Sequence, residues 1–167
     1  MMLKNSSFTS CRRSKLQAGV ALVELALVLP LLILLSVMVT EFGRAFYQYN
    51  TITKSLRDAV RYLSMVDPEA AAIDPAKITQ AINMVVYGTP SPAVDAKPVV
   101  PGLSTANVPA TNVAWTWTST TPRYRIVSIQ VTGYAFEPLI GRAFGLQLTN
   151  QAGQIPFGPI AAHMRAF

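Results

Sequence analysis

Few side chains in this sequence have the types and spacing that chemistry needs. His163 is the sole histidine and Cys11 the sole cysteine among 167 residues. They stand near opposite ends of the chain, and no Ser/His/Asp set accompanies them. A metal site needs several His, Cys, Asp or Glu side chains converging. The eight acids are scattered, and nothing places two of them together in a cleft. The stretch "GRAFG" from Gly141 reads as a turn and not as a nucleotide motif. The expectation is therefore a non-enzymatic protein with no catalytic residue, no cofactor and no metal. Two features still call for an explanation. Trp115 and Trp117 alternate with threonines and are either a sugar-stacking platform or core; the usual burial of aromatics favours core. Glu24 is a carboxylate inside an otherwise apolar run.

That run dictates the elements around it. Val20 to Val39 is interrupted only by Glu24, Pro30 and Ser36. At about 1.5 Å of rise per residue it spans roughly 30 Å, the thickness of a bilayer's hydrocarbon core. A secretory signal peptide has a shorter apolar core and ends at a small-x-small site, which "SVMVTEFGRA" does not supply. Pro30 removes one backbone donor and crowds the carbonyl of Ala26, so a kink is expected there. Glu24 lies about 6 Å into the run. It is either an interfacial residue reaching headgroups or a buried polar contact with a partner, since a carboxylate deeper in lipid is costly.

Charge placement orients the segment. Charged residues make up 13% of the chain and hydrophobic residues 51%, against a soluble norm of roughly 25% charged. The formal charge is +6, but Lys4, Arg12, Arg13 and Lys15 precede Gly19 with no acid among them. The rest of the chain is nearly balanced, so no basic face for nucleic acid is expected. Basic residues ahead of the helix put the N-terminus in the cytoplasm and the body outside. The length suits one domain plus an appendage.

The stretch "AGVALVE" combines this basic leader with Gly19, then Val20, then an apolar helix with Glu24 at its fifth position. It resembles the class III signal of type IV pilins and pseudopilins. Val20 to Ser64 resembles more closely the TadE-like family of tight-adherence (Tad/Flp) pilus proteins. The residues that carry the likeness are Glu24, Ala26, Pro30, Glu41, Phe42, Gly43, Arg44, Tyr47, Asn50, Ala59, Arg61 and Tyr62. "VTGYAFEPLIGRAFG" and "IAAHMRAF" resemble the ends of such proteins more loosely. The resemblance implies cleavage between Gly19 and Val20 by a prepilin peptidase. It also implies that Glu24 and Pro30 serve helix assembly and register. The implied partners are the major Flp pilin, other minor pilins or pseudopilins, the inner-membrane assembly platform and the lipid bilayer.

Beyond the membrane segment, Phe42, Phe46 and Tyr49 recur at helical spacing, followed by Ile52, Leu56, Val60 and Leu63. This stripe is expected to pack as core against the body. Asp67–Pro68 stops the helix. Asp74 is expected as an N-cap with Pro75 at the first helical position, opening a second helix from Ala76 to Tyr87 that Gly88 caps. Residues 89–112 carry five prolines and are expected to be a variable or mobile loop. "VAWTWTST" and "RYRIVSIQVTGYAF" alternate as strands joined by a tight turn near Thr120–Pro122. Gly133 is expected to mark a bulge, and Ile160 to Phe167 a further strand.

The expected fold is α+β and pilin-like: a long membrane-spanning N-terminal helix packed on a small antiparallel β-sheet, with one short extra helix. The expected divisions are a cleaved basic leader at 1–19, the long helix at 20–64 with its transmembrane part at about 20–40, and an extracytoplasmic domain at 65–167. The function expected is that of a TadE-like pseudopilin or minor pilin in the bacterial inner membrane, with its C-terminal domain in the periplasm. The alternative is an uncleaved single-pass protein that binds a surface or a polysaccharide.

Overall fold

A computed structural model describes residues 11–67, 75–119, 121–139, 142–143, 146–147, 149–150 and 152–166. The chain divides into two compact units, Met1–Phe42 and Gly43–Phe167. Helix α1 (Cys11–Ser64) contributes to both. It starts before the apolar run, so Gly19 lies within the helix rather than at its head.

In the second unit, α1 supplies the buried residues Ile52, Leu56, Ala59, Val60 and Leu63. Their three- and four-residue spacing keeps them on one face. Helix α2 (Ala76–Tyr87) places Ala81, Ile82, Val85 and Val86 in the same core. Pro75 has helical dihedrals and its carbonyl accepts from the Thr79 N–H, so the first turn opens on the proline as expected. Asp74 lies outside the described residues. Gly88, at φ 75°, ends α2 in the left-handed region, its N–H donating to the Met84 carbonyl at 3.0 Å.

The sheet is antiparallel in the order β1 (Val113–Trp117), β2 (Arg125–Val131), β7 (Ile160–Arg165). Strand β2 is central, with Val127, Ile129 and Val131 buried and Ser128 and Gln130 half-buried between them. That is the period-two pattern of a strand with one face on a core. Two short ladders complete the body, β3 (Ala135–Phe136) with β6 (Ile155–Pro156), and β4 (Arg142–Ala143) with β5 (Leu146–Gln147). The architecture is the expected α+β: a long apolar helix, a second short helix and a small antiparallel sheet.

Four local expectations change. The proline-rich segment is packed: Val100, Leu103 and Val108 are buried in the core, and two 3-10 turns form at Thr105–Asn107 and Ala110–Asn112. Side-chain amides fix it, Asn107 donating to the Thr132 carbonyl and Asn112 to that of Gln130. Proline restricts backbone pairing, but not burial of the apolar residues between prolines. The β1–β2 connection is wider than a tight turn. The Thr118 N–H donates to the Tyr124 carbonyl at 3.0 Å and closes a loop around Pro122, whose ring cannot supply the dihedrals of a two-residue hairpin turn. Gly133 is not a bulge. It sits at φ 68° where the chain leaves β2, and the preceding Thr132 N–H pairs with the Asn107 carbonyl. Finally, the helical stripe is core only from Ile52 onward. Phe42, Phe46 and Tyr49 are exposed, because at this level the body packs on the face that carries Arg44 and Gln48 instead.

Candidate functional site

In the first unit, Gly19, Val20 and Glu24 lie on exposed helix. A Cβ built on Gly19 meets no atom within 4 Å. Glu24 stands four residues beyond Val20, one helical turn along the same face. Pro30 is inside α1 and does not end it. From Val20 to Val39 every side chain is exposed except Leu34 and Val37, which are half-buried. Among the described residues one helix is long and apolar enough to cross a membrane, and Gly19–Ser64 is its candidate span. So large a contiguous apolar surface marks a lipid or protein contact. The Thr40 hydroxyl at its far end is satisfied locally, Oγ1 donating to the Ser36 carbonyl at 2.9 Å.

Of the motif residues, Glu41 is half-buried and Phe42 exposed in the first unit. In the second unit they fall into two groups. Ala59 is fully buried, and the Tyr62 hydroxyl donates to Gln80 Oε1, tying α1 to α2. The half-buried Arg44 holds its guanidinium 5.4 Å from the centre of the Phe136 ring. Gly43, Tyr47, Asn50 and Arg61 face outward. These residues form a strip along one helix and do not line a common cleft.

A buried polar contact was not legible in the sequence. The Tyr134 hydroxyl donates to Gln48 Oε1 at 2.7 Å, with the Pro101 carbonyl 3.0 Å away as a second acceptor. Burial, and then the nearby Glu137 carboxylate, push this phenol above its ordinary value. Gln48 is buried between exposed Tyr47 and Tyr49, and apolar periodicity gives no signal for such a residue.

The tryptophans separate. Trp115 packs half-buried against the core, as expected. Trp117 is 61% exposed, since β1 extends past the helices that cover Val127 and Ile129. His163 is exposed on β7, opposite Ser128. Among the described residues, no group of three or more His, Cys, Asp or Glu side chains could hold a metal ion.

No curated protein and no solved structure matches the chain. The match that exists falls on the helix that carries the candidate residues. Residues 19–61 match the family model described as TadE-like protein, so this part of the chain is similar to that family.

Proposed function

We propose that the chain is a TadE-like pseudopilin or minor pilin, a non-enzymatic subunit that assembles into or with a Tad/Flp adhesion pilus after processing by a prepilin peptidase. One observation carries this reading. The TadE-like match coincides with a single helix that exposes an apolar surface along its first part and builds a domain core with its second. Such a helix suits a subunit that is stored in lipid and handed to a protein partner while its body stays folded.

Glu24 fits that reading. Cleavage after Gly19 leaves a charged amine on Val20, one helical turn from the Glu24 carboxylate. In a low-dielectric setting an unpaired charge is costly, so pairing within the helix or with a neighbour rewards one axial register. Gly19 also suits the cut. A peptidase needs extended backbone, and glycine is about 1 kcal/mol poorer than alanine at holding a helix. The major Flp pilin, other minor pilins, the assembly platform and the lipid bilayer are the partners on this reading. The site of action is the bacterial inner membrane, with the N-terminus cytoplasmic and the body periplasmic.

Mass spectrometry of the mature N-terminus tests the reading. It expects protein beginning at Val20 in cells with an active prepilin peptidase, and uncut protein for Gly19→Leu. Wild-type protein beginning at Met1 in such cells would refute it. Glu24→Ala should insert and be cut, yet recover less pilin in a detergent pulldown. Equal recovery would remove the register role.

A further inference from the structure

The outer end of the β1–β2 hairpin holds an open cleft of about 300 Å³, lined by Trp117, Thr118, Ser119 and Arg123. That volume is at the low end of the roughly 300–1,000 Å³ typical of ligand sites. One face of the Trp117 indole lies under the Arg125 guanidinium, 4.9 Å from its ring centre. Trp117 is 61% exposed and lines the cleft, so much of its indole stays open to a ligand beside the Arg125 contact. Arg125 is also neutralised in part by Asp67, 4.0 Å away. Arg165 lies over the Tyr124 ring at 4.9 Å. Arg123 differs from both: it is exposed, and among the described residues it has no ion-pair partner.

From this geometry we infer that the cleft binds an acidic polysaccharide, with one hexuronate unit stacked on Trp117 and its carboxylate held by Arg123. The C–H face of a pyranose carries partial positive charge and meets the negative face of the indole. A guanidinium grips a carboxylate through two parallel N–H donors. The Ser119 and Thr118 side chains offer hydroxyls to ring substituents. Thr118 is held for this, because its Oγ1 accepts from the Tyr124 N–H at 3.1 Å. The cleft is open rather than enclosed, which suits a polymer passing across it. Nucleic acid fits less well, because its affinity comes from many neutralised phosphates and only one cation lining this cleft is unpaired. The site belongs to the body and holds whether or not the leader is cut.

The test is a titration of the full-length protein in detergent micelles with short oligogalacturonates. Neutral oligoglucans, a single-stranded oligonucleotide and phosphatidylglycerol vesicles serve as separate arms. Oligogalacturonate should quench Trp117 fluorescence and bind at least about tenfold tighter than the neutral oligomer, with a salt dependence near that of a single ion pair. Trp117→Ala and Arg123→Ala should each weaken binding at least about tenfold, while Trp117→Phe keeps most of it. Thermal melts of the variants confirm that the exposed substitutions leave the fold intact. No binding, equal binding of the neutral oligomer, or unchanged affinity in both Trp117→Ala and Arg123→Ala would overturn the inference. Tighter binding of the oligonucleotide or the vesicles, lost in the same variants, would also overturn it and reassign the cleft to phosphate.

Discussion

Gly43 is an exposed glycine in the interior of α1, and its replacement by alanine tests how the helix is used. A Cβ built there meets nothing within 4 Å, and the backbone needs no left-handed conformation. The substitution therefore has no steric cost in the isolated chain. Glycine within a helix is destabilising by about 0.5–1 kcal/mol relative to alanine. Gly43→Ala should thus slow local opening of α1 by about two- to fivefold. Amide hydrogen exchange of full-length protein in detergent, followed by mass spectrometry on peptides covering residues 40–50, reads this directly. Faster exchange in the variant, or a lower melting temperature, would show that the backbone at Gly43 is not as open as described. A second readout addresses function. Small residues let helix backbones approach closely in membranes. If pilin recovery falls although the helix is more stable, a partner packs over Gly43; unchanged recovery means that none does.

Other expectations follow from the core and its polar contacts. Leu56 is fully buried, so Leu56→Ala should lower stability by about 2–5 kcal/mol in denaturant titrations; a loss below about 1 kcal/mol would place it outside the core. Asn112 Nδ2 donates to the Gln130 carbonyl at 3.0 Å and to Thr132 Oγ1 at 3.1 Å. Asn112→Ala should cost about 1–2 kcal/mol and expose the 89–112 segment to limited proteolysis, whereas an unchanged digestion pattern would mean that this amide does not hold the loop. Burial raises the Tyr134 phenol in the folded state. Its contribution is therefore fully present below the ordinary tyrosine value and is lost as pH rises through the higher folded one. Wild type should destabilise more steeply than Tyr134→Phe above about pH 10; parallel pH profiles would contradict the burial argument.

The strongest periodic signals in the sequence carried over to the structure. The apolar run and the Ile52–Leu63 stripe are one helix, and Val127, Ile129 and Val131 give β2 its inward face. The Ala76–Tyr87 helix ends where Gly88 allows a left-handed turn. What failed to show was set by contacts between distant residues. Proline spacing in 89–112 hides the fact that Val100, Leu103 and Val108 join the core that α2 and β2 share. Alternation in β1 pairs Trp115 with Trp117, yet only Trp115 lies over the core, because coverage ends along the strand. The cleft beside Trp117 needs Ser119 and Arg123 from the two sides of a loop whose shape no local pattern specifies. Gln48 and Tyr134 stand 86 residues apart, and neither residue announces the other.

The order of the sheet has a consequence for how the protein is made. Strand β2 is central, and one of its two neighbours, β7, is synthesised after the rest of the core. Until Ile160–Arg165 arrive, Val127, Ile129 and Val131 lack half of their ladder, and the α1 face at Ile52–Leu63 lacks its full cover. Closure of the sheet therefore waits for the last strand and rests on pairings distant in sequence, which makes it correspondingly slow. Until then the unpaired edge of β2 is open to pairing with another chain. A lesion at the buried Ile160 would then lower the yield of folded protein even where the exposed His163 and Arg165 of the same strand are unchanged.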